Sequence, residues 1–335
     1  MRAEREMRPS ISVCMPIFNG SKYLPTAIKS LAGQSFQNFE VVIVDDGSSD
    51  DSAVVAERLL KRHGLCGSVV RTPNRGAEQA RNAAFDSASA DILAALDCDD
   101  SWDPTYLESM LGILEKFPEV DLAYCDMRQE ADNGAVVLKS QLATWIDLSK
   151  AERHDDVYVF APPRFFRLLL AGIVTLPSCT IFRKRLYKSA GEIPTVLSNL
   201  PNALDWYFSL RASRSASVAF LNRPLVHHPV YASSTSGNLI KLTDCNVRVI
   251  RWLLRDGGLD KAEQATARRK GATICTWACD ALLRRQRQNW IAAKWAIRSL
   301  RFQINWAAVR LLALCLVPRS AVERVRRWQA SIQKS

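Results

Sequence analysis

The chain has 335 residues, 48% hydrophobic and 24% charged, with 45 Lys or Arg against 34 Asp or Glu for a formal net charge of +11. That length buries one large core or two modest ones, and those proportions exclude disordered and fibrous classes. Nine cysteines form no CxxC pair and the first residues lack an apolar signal-peptide core, so the expectation is a reduced, cytoplasmic setting.

In chain order, a charged arm over Met1–Ser10 leads into an apolar, β-rich run at Ile11–Phe18, broken at Pro16. Lys22–Leu31 has the helical spacing of Leu24, Ile28 and Leu31, and Glu40–Val44 is a second buried strand that stops in Asp45, Asp46, Gly47 and Ser48. Ser52–Arg62 reads as an amphipathic helix, Ser68–Arg71 as a short strand and Ala77–Ser87 as a helix before the strand Ile92–Leu96. A helix at Thr105–Phe117 and a strand at Leu122–Cys125 follow, then irregular sequence to about Pro163. Beyond it lie a helix at Arg164–Ala171, a strand at Cys179–Phe182, a helix at Leu204–Ala212 and a strand-like Ser217–Val230. From about Gly237 onward the pattern is helical. Strands alternating with helices predict a mostly parallel α/β sheet whose ligands bind at the carboxyl ends of the strands.

Two strands end in acids at that rim, and the second cluster, Asp97, Asp99, Asp100 and Asp103, is the denser. Carboxylates gathered in this way repel unless a cation sits among them. A hard divalent ion, Mn²⁺ or Mg²⁺, takes oxygen ligands and commonly bridges a carboxylate to a substrate phosphate. Asp103 fits equally an N-cap of the helix that Pro104 begins. Asp97 and Asp99 precede the cap and are the candidate metal ligands.

Val44-Asp45-Asp46-Gly47-Ser48, then Asn74-Arg75-Gly76 with Ala80-Arg81-Asn82, then Leu96-Asp97-Cys98-Asp99-Asp100, in this order and at these spacings, resemble the family 2 inverting glycosyltransferases of the GT-A fold over roughly residues 10–236. The resemblance implies a nucleotide-sugar donor, usually a UDP-sugar, and a metal held by a DxD-type motif, here Asp97-Cys98-Asp99, with Asp99 as the usual contact. It implies that Pro16, Phe18 and Asn19 border the nucleotide, that Asp46 binds base or ribose, and that Arg81 faces the nucleotide or its phosphates. A diphosphate independently calls for cations, and Arg offers a planar fork of donors; Asp46 could instead be a turn residue bonding locally, and Arg81 a solvated helix residue. Asp205 matches the place of the family's catalytic base, although Ala203-Leu204 stand ahead of it where relatives carry a paired acid; it could also be a helix-start acid favoured by the macrodipole, and Glu192 is the fallback. Of His227 and His228 at most one could complete a metal shell, because neighbours on a strand point opposite ways. Tyr231–Gly237 resembles the loop that closes over donor in relatives, or is a linker.

The domains expected are 1–236, catalytic, with a nucleotide-sugar half to about 125 and an acceptor half over about 126–236, and 237–335, helical. A nicotinamide-binding protein is set aside because no G-x-G-x-x-G follows the first strand. A non-catalytic nucleotide-sugar-binding module with a degenerate site is the alternative. The charge lies in the tail: from Ala281 to Ser335, 12 Lys or Arg face the single acid Glu323, while residues 1–280 carry 33 basic and 33 acidic ones. That distribution argues against nucleic acid as partner. Leu311–Val317, the longest apolar run there, is far short of the about 20 residues that cross a bilayer. Arg287, Lys294, Arg298 and Arg301 at helical spacing, opposite Trp290, Ile297, Leu300 and Ile304, with further tryptophans at 295, 306 and 328, instead suit the surface of an anionic membrane carrying a glycan or lipid-linked acceptor, or a face packed on the rest of the protein.

Overall fold

The computed structural model describes residues 8–131, 136–138, 146–172, 176–190, 204–230, 239–286 and 289–316. The chain divides into two compact units, Met1–Gly237 and Asn238–Ser335.

The first unit is built on one mixed sheet. Strands β1 (Ile11–Ile17), β2 (Phe39–Asp45), β3 (Gly67–Arg71) and β4 (Ile92–Ala95) are parallel, in the spatial order β3-β2-β1-β4. All seven residues of β1 are buried, as expected of a strand covered on both faces, and Ser12, the one polar side chain in its run Ile-Ser-Val-Cys-Met-Pro-Ile, is satisfied by donating to Glu40 Oε1 at 2.5 Å. Helices α1 (Leu24–Ala32), α2 (Ser52–His63) and α3 (Ala77–Ser87) make the crossovers. β5 (Ser101–Trp102) is a two-residue strand, and α4 (Tyr106–Lys116) follows it. Asp103 does not cap α4 directly: its Oδ1 accepts from the N–H and Oγ1 of Thr105, at 3.1 and 2.9 Å, and Thr105 is the N-cap.

The sheet continues through β6 (Val120–Ala131), β7 (Val136–Leu138), β8 (Glu152–His154), β9 (Val157–Phe160), β10 (Thr180–Arg183) and β11 (Ser217–Val230). β10 runs antiparallel between β4 and β6, and β6 pairs in parallel with β11. β6 is therefore far longer than the Leu122–Cys125 strand expected from apolar residues alone. Its second half, including Arg128, Gln129 and Glu130, is polar, yet its backbone keeps pairing with β11 as far as Ala131 and Val230. α5 (Arg164–Ala171), α6 (Lys184–Ala190) and α7 (Leu204–Ser215) complete this unit.

The second unit holds α8 (Leu239–Asp256), α9 (Lys261–Ala281), which continues into a π-helical turn at Leu282–Gln286, α10 (Asn289–Phe302) and α11 (Trp306–Leu316). A capping box starts α9: the Glu263 N–H donates to Asp260 Oδ1 at 2.8 Å and the Asp260 N–H to Glu263 Oε2 at 3.1 Å. The small residues Ala267, Gly271, Ala272, Cys275 and Ala278 form its buried side. A Cβ at Gly271 would lie 2.8 Å from the Phe302 ring, so glycine is what lets α10 seat that ring against α9.

The basic stripe expected in this unit is interrupted. Arg298 is ion-paired with Asp244 at 2.9 Å and sits over the ring of Trp295, which is buried in the core, and α10 ends at Phe302, so Ile304 belongs to the following link. Trp290, Ile297 and Trp306 are exposed, and the Lys294 ammonium lies 4.4 Å from the Trp290 ring centre. Arg287 and Trp328 lie outside the described residues. Among the described residues no helix is long and apolar enough to cross a membrane.

Candidate active site

β1, β2 and β4 end at one rim, and the loops that leave them are stitched together there. Asn19, just past β1, adopts φ 49°, a left-handed conformation that Asn tolerates better than most residues. Its Oδ1 accepts from the N–H of Ser49 at 2.8 Å, and its own N–H donates to Ser48 Oγ at 2.9 Å. Pro16 is buried within β1, while Phe18 remains 48% exposed at the rim. A Cβ on Gly20 would stand 2.9 Å from Cys98 Sγ, so this glycine lets the chain after β1 pass close to the acidic turn after β4.

Asp45 and Asp46 are both buried but serve different neighbours. Asp45 accepts from the Ser48 N–H at 3.1 Å and pairs with Arg71 Nε at 3.0 Å. Asp46 clamps the Asn74-Arg75-Gly76 turn: its two oxygens accept the N–H groups of Arg75 and Gly76, each at 2.7 Å. Gly47 makes the approach possible, having φ 72° and only 2.9 Å between its would-be Cβ and Asn74 N. A carboxylate offers about four lone-pair sites, so the clamp does not exhaust the acceptor capacity of Asp46.

The acidic turn Asp97–Asp100 is partly neutralised from within. Arg81, buried on α3, reaches Asp97 Oδ1 with Nη2 at 2.6 Å and Glu78 Oε1 with Nη1 at 2.5 Å. Burial alone would lower the guanidinium pKa, but Asp97 and Glu78 outweigh it and hold the pKa above its ordinary value. Asp100 is buried, with Oδ1 2.7 Å from His228 Nδ1, while Oδ2 accepts the Ser178 hydroxyl; Ser178 Oγ also accepts the Asp97 N–H at 3.0 Å. His228 arrives there because β5 pairs antiparallel with β11 at Trp102–Val226 and Ser101–His227. Desolvation disfavours the charged imidazole, yet the hydrogen bond it donates to Asp100 and the charges of Asp100, Asp99 and Asp97 raise its pKa. His227 turns the other way, to Glu130 at 2.9 Å and to Arg128.

Asp99 is the acid left over. It makes no ion pair with a described residue, and burial first, then the charges of Asp100 and Asp97, push its pKa up to about 7. Among the described residues no three His, Cys, Asp or Glu side chains form a ready-made metal cage. The donor set here, one unpaired carboxylate beside two already neutralised, fits a hard divalent cation that draws its other ligands from substrate oxygens and water. Mn²⁺ and Mg²⁺ are of that kind.

The structure thus gathers Asn19, Asp46, Arg81, Asp97 and Asp99 around the carboxyl ends of the parallel strands. Asp205 lies in the first turn of α7, but its side chain is outside the described residues, as are Glu192 and Tyr231–Gly237. Three contributors went unanticipated: Ser178, Glu78 and the Asp100–His228 pair. The Glu78–Arg81 spacing of i, i+3 was a readable signal for an ion pair on one helix face. Nothing local marks Ser178.

The family model for glycosyl transferase family 2 matches residues 12–189. A putative glycosyltransferase of Bacillus subtilis, EpsH, is 29% identical over 229 residues, covering 68% of this chain and 62% of that one, so the chain spans less than two thirds of that relative's length. An uncharacterized glycosyltransferase of Rickettsia prowazekii is 30% identical over 242 residues, 69% of this chain and 67% of its own. Among solved structures, S. aureus TarS superposes with a TM-score of 0.61 at 19% identity over 88% of this chain and 80% of that one. A mannosyltransferase of Pyrobaculum calidifontis, solved with GDP-Man and Mn²⁺, gives 0.58 at 17% over 96% and 84%. At such identities the structural likeness speaks for the GT-A fold, and the family match carries the rest: the chain belongs to glycosyl transferase family 2.

Proposed function

We propose that this chain is an inverting glycosyltransferase that moves a sugar from a nucleotide-sugar donor, a UDP-sugar, to a hydroxyl of a glycan or lipid-linked acceptor. The observation that carries the reading is the charge arrangement at the rim: Asp97 answered by Arg81, Asp100 by His228, and Asp99 unanswered. TarS has been solved with UDP-GlcNAc and the Pyrobaculum enzyme with GDP-Man and Mn²⁺, which supports a donor of this class.

In this reading Asp99, with Asp97 beside it, would hold Mn²⁺ or Mg²⁺, and the ion would supply positive charge to offset that of the leaving diphosphate. Arg81 fixes Asp97 and adds positive charge behind the phosphates. Pro16, Phe18 and Asn19 border the nucleotide, and Asp46 uses its free lone pairs on base or ribose while its clamp keeps the Asn74–Gly76 turn in place. Asp205 takes the proton of the acceptor hydroxyl as that oxygen attacks the anomeric carbon opposite the diphosphate. One C–O bond forms as the sugar–phosphate bond breaks, and the configuration inverts. The exposed tryptophans of α10 and α11, with the basic residues beside them, support a peripheral position on an anionic membrane at its inner face, where a lipid-linked acceptor would lie.

The test is a panel of UDP- and GDP-sugars incubated with protein and Mn²⁺ or EDTA. Metal-dependent release of nucleotide from one UDP-sugar supports the enzyme. Binding of a donor without turnover under any metal would identify a non-catalytic module.

A further inference from the structure

Ser178 meets the acidic turn from the other side of the sheet. It is fully buried in the single 3₁₀ turn Pro177–Cys179 that leads into β10, whereas the acids follow β4. Pro177 fixes φ at the start of that turn, the Thr180 hydroxyl donates back to the Leu176 carbonyl at 3.1 Å, and Thr180 pairs with Tyr124 of β6. From this seat Ser178 Oγ accepts the Asp97 N–H at 3.0 Å and donates to Asp100 Oδ2, while its carbonyl accepts from Trp102 Nε1 at 2.8 Å. The Asp100 N–H donates to the Asp97 carbonyl at 3.0 Å, which leaves Cys98 and Asp99 as the central residues of a closed turn.

We propose that Ser178 is a positioning residue for Asp99: its hydroxyl bridges the two ends of the turn and so fixes the direction in which the carboxylate between them faces a divalent cation. The proposal rests on the reading of Asp99 as a metal ligand. A hydroxyl has one proton to give, and here it goes to Asp100 while a lone pair takes the Asp97 N–H, so one oxygen orders both ends. The bond to a carboxylate is charge-assisted and lies away from water, where its loss is felt most. Arg81 bonds the first acid of the turn and supplies charge; Ser178 ties the first residue to the last and supplies shape. Groups that hold a metal ligand in place from behind commonly change metal affinity by about 10–100-fold when removed.

Ser12 is a matched control. It is as deeply buried, its Oγ accepts the Ala90 N–H at 3.0 Å and donates to Glu40 Oε1 at 2.5 Å, but it lies near the amino end of β1, away from the rim. The test uses the full chain and measures Mn²⁺ affinity by electron paramagnetic resonance of the free ion, without nucleotide and with UDP over a UDP blank. Amide hydrogen exchange of residues 97–102 in EDTA is the second readout. S178A should weaken Mn²⁺ binding by about tenfold or more and speed exchange in 97–102. S12A should lower the melting temperature comparably, yet change Mn²⁺ affinity less than about twofold and leave that exchange as it was. S178C keeps the volume with a weak donor and acceptor, and should repeat the S178A result if the alanine variant does not fold; S178T keeps the hydroxyl and should recover affinity to within about threefold of the parent. Unchanged affinity or unchanged exchange in S178A and S178C, or a loss of affinity that S12A matches, overturns the proposal alone. Absence of Mn²⁺ binding by the parent, with and without UDP, overturns the reading of Asp99 and the proposal together.

Discussion

Asp99→Asn exchanges a carboxylate for a neutral amide of the same size at an acid of the Asp97–Asp100 turn that makes no ion pair with a described residue. In metal-free protein the Asp99 carboxyl has its pKa raised from an ordinary 3.8 to about 7. A raised acid favours the folded state in its neutral form, so its contribution is complete below about pH 4 and is lost as pH climbs toward 7. At pH 8 the whole difference is forfeited, at most about 4 kcal/mol at 1.36 kcal/mol per unit. Half of that shifts the melting temperature by roughly 4–8 °C in a unit of this size. The assay is thermal unfolding at pH 5 and pH 8, in EDTA and in Mn²⁺. In EDTA the parent should lose stability between the two pH values relative to Asp99→Asn, which should be the more stable protein at pH 8. With Mn²⁺ at pH 8 the order should reverse, because only the parent gains a ligand-linked shift. Parallel pH profiles in EDTA, together with equal Mn²⁺ stabilisation of both proteins, would refute the reasoning.

Arg81→Gln leaves Asp97 and Glu78 without their shared cation and should cost about 3 kcal/mol in urea unfolding at pH 7, with donor affinity reduced as well. Gly47→Ala forces a Cβ to 2.9 Å from Asn74 N at φ 72° and should cost about 1–3 kcal/mol, read in the same way, while raising KM for the donor because the Asp46 clamp shifts. Asp205→Asn should lower kcat by about a hundredfold or more with donor Kd, measured by calorimetry, little changed; collapse of donor binding would mark Asp205 as a binding residue instead.

The site was legible where its chemistry sits at the end of an apolar run. Asp46, Asp97 and Asp99 follow Glu40–Val44 and Ile92–Leu96 directly, and a strand that stops in carboxylates announces a rim. The Asp100–His228 pair was not legible in that way, because it depends on a two-residue strand, β5, whose pairing with β11 no local pattern specifies. The same holds for the outer half of β6, where Arg128, Gln129 and Glu130 look like loop and yet belong to a ladder. In the tail, helical spacing set Lys294 opposite Trp290, yet the Lys294 ammonium lies 4.4 Å from the Trp290 ring centre, and the spacing could not tell that Arg298 would find Asp244 or that α10 would end before Ile304.

The links that neutralise the acidic turn are also among the most distant in the chain: Asp97 meets Ser178 across 81 positions and Asp100 meets His228 across 128. Such contacts close large loops, whose ordering cost must be met before they return anything, so they belong to the late stages of folding. A nascent chain that has built β1 to β4 but not yet β11 holds three neighbouring acids with only Arg81 among them. Metal captured at that stage would trap the acids before His228 docks. The expected signature is refolding that slows when Mn²⁺ is present from the start and does not slow when it is added after the sheet has closed.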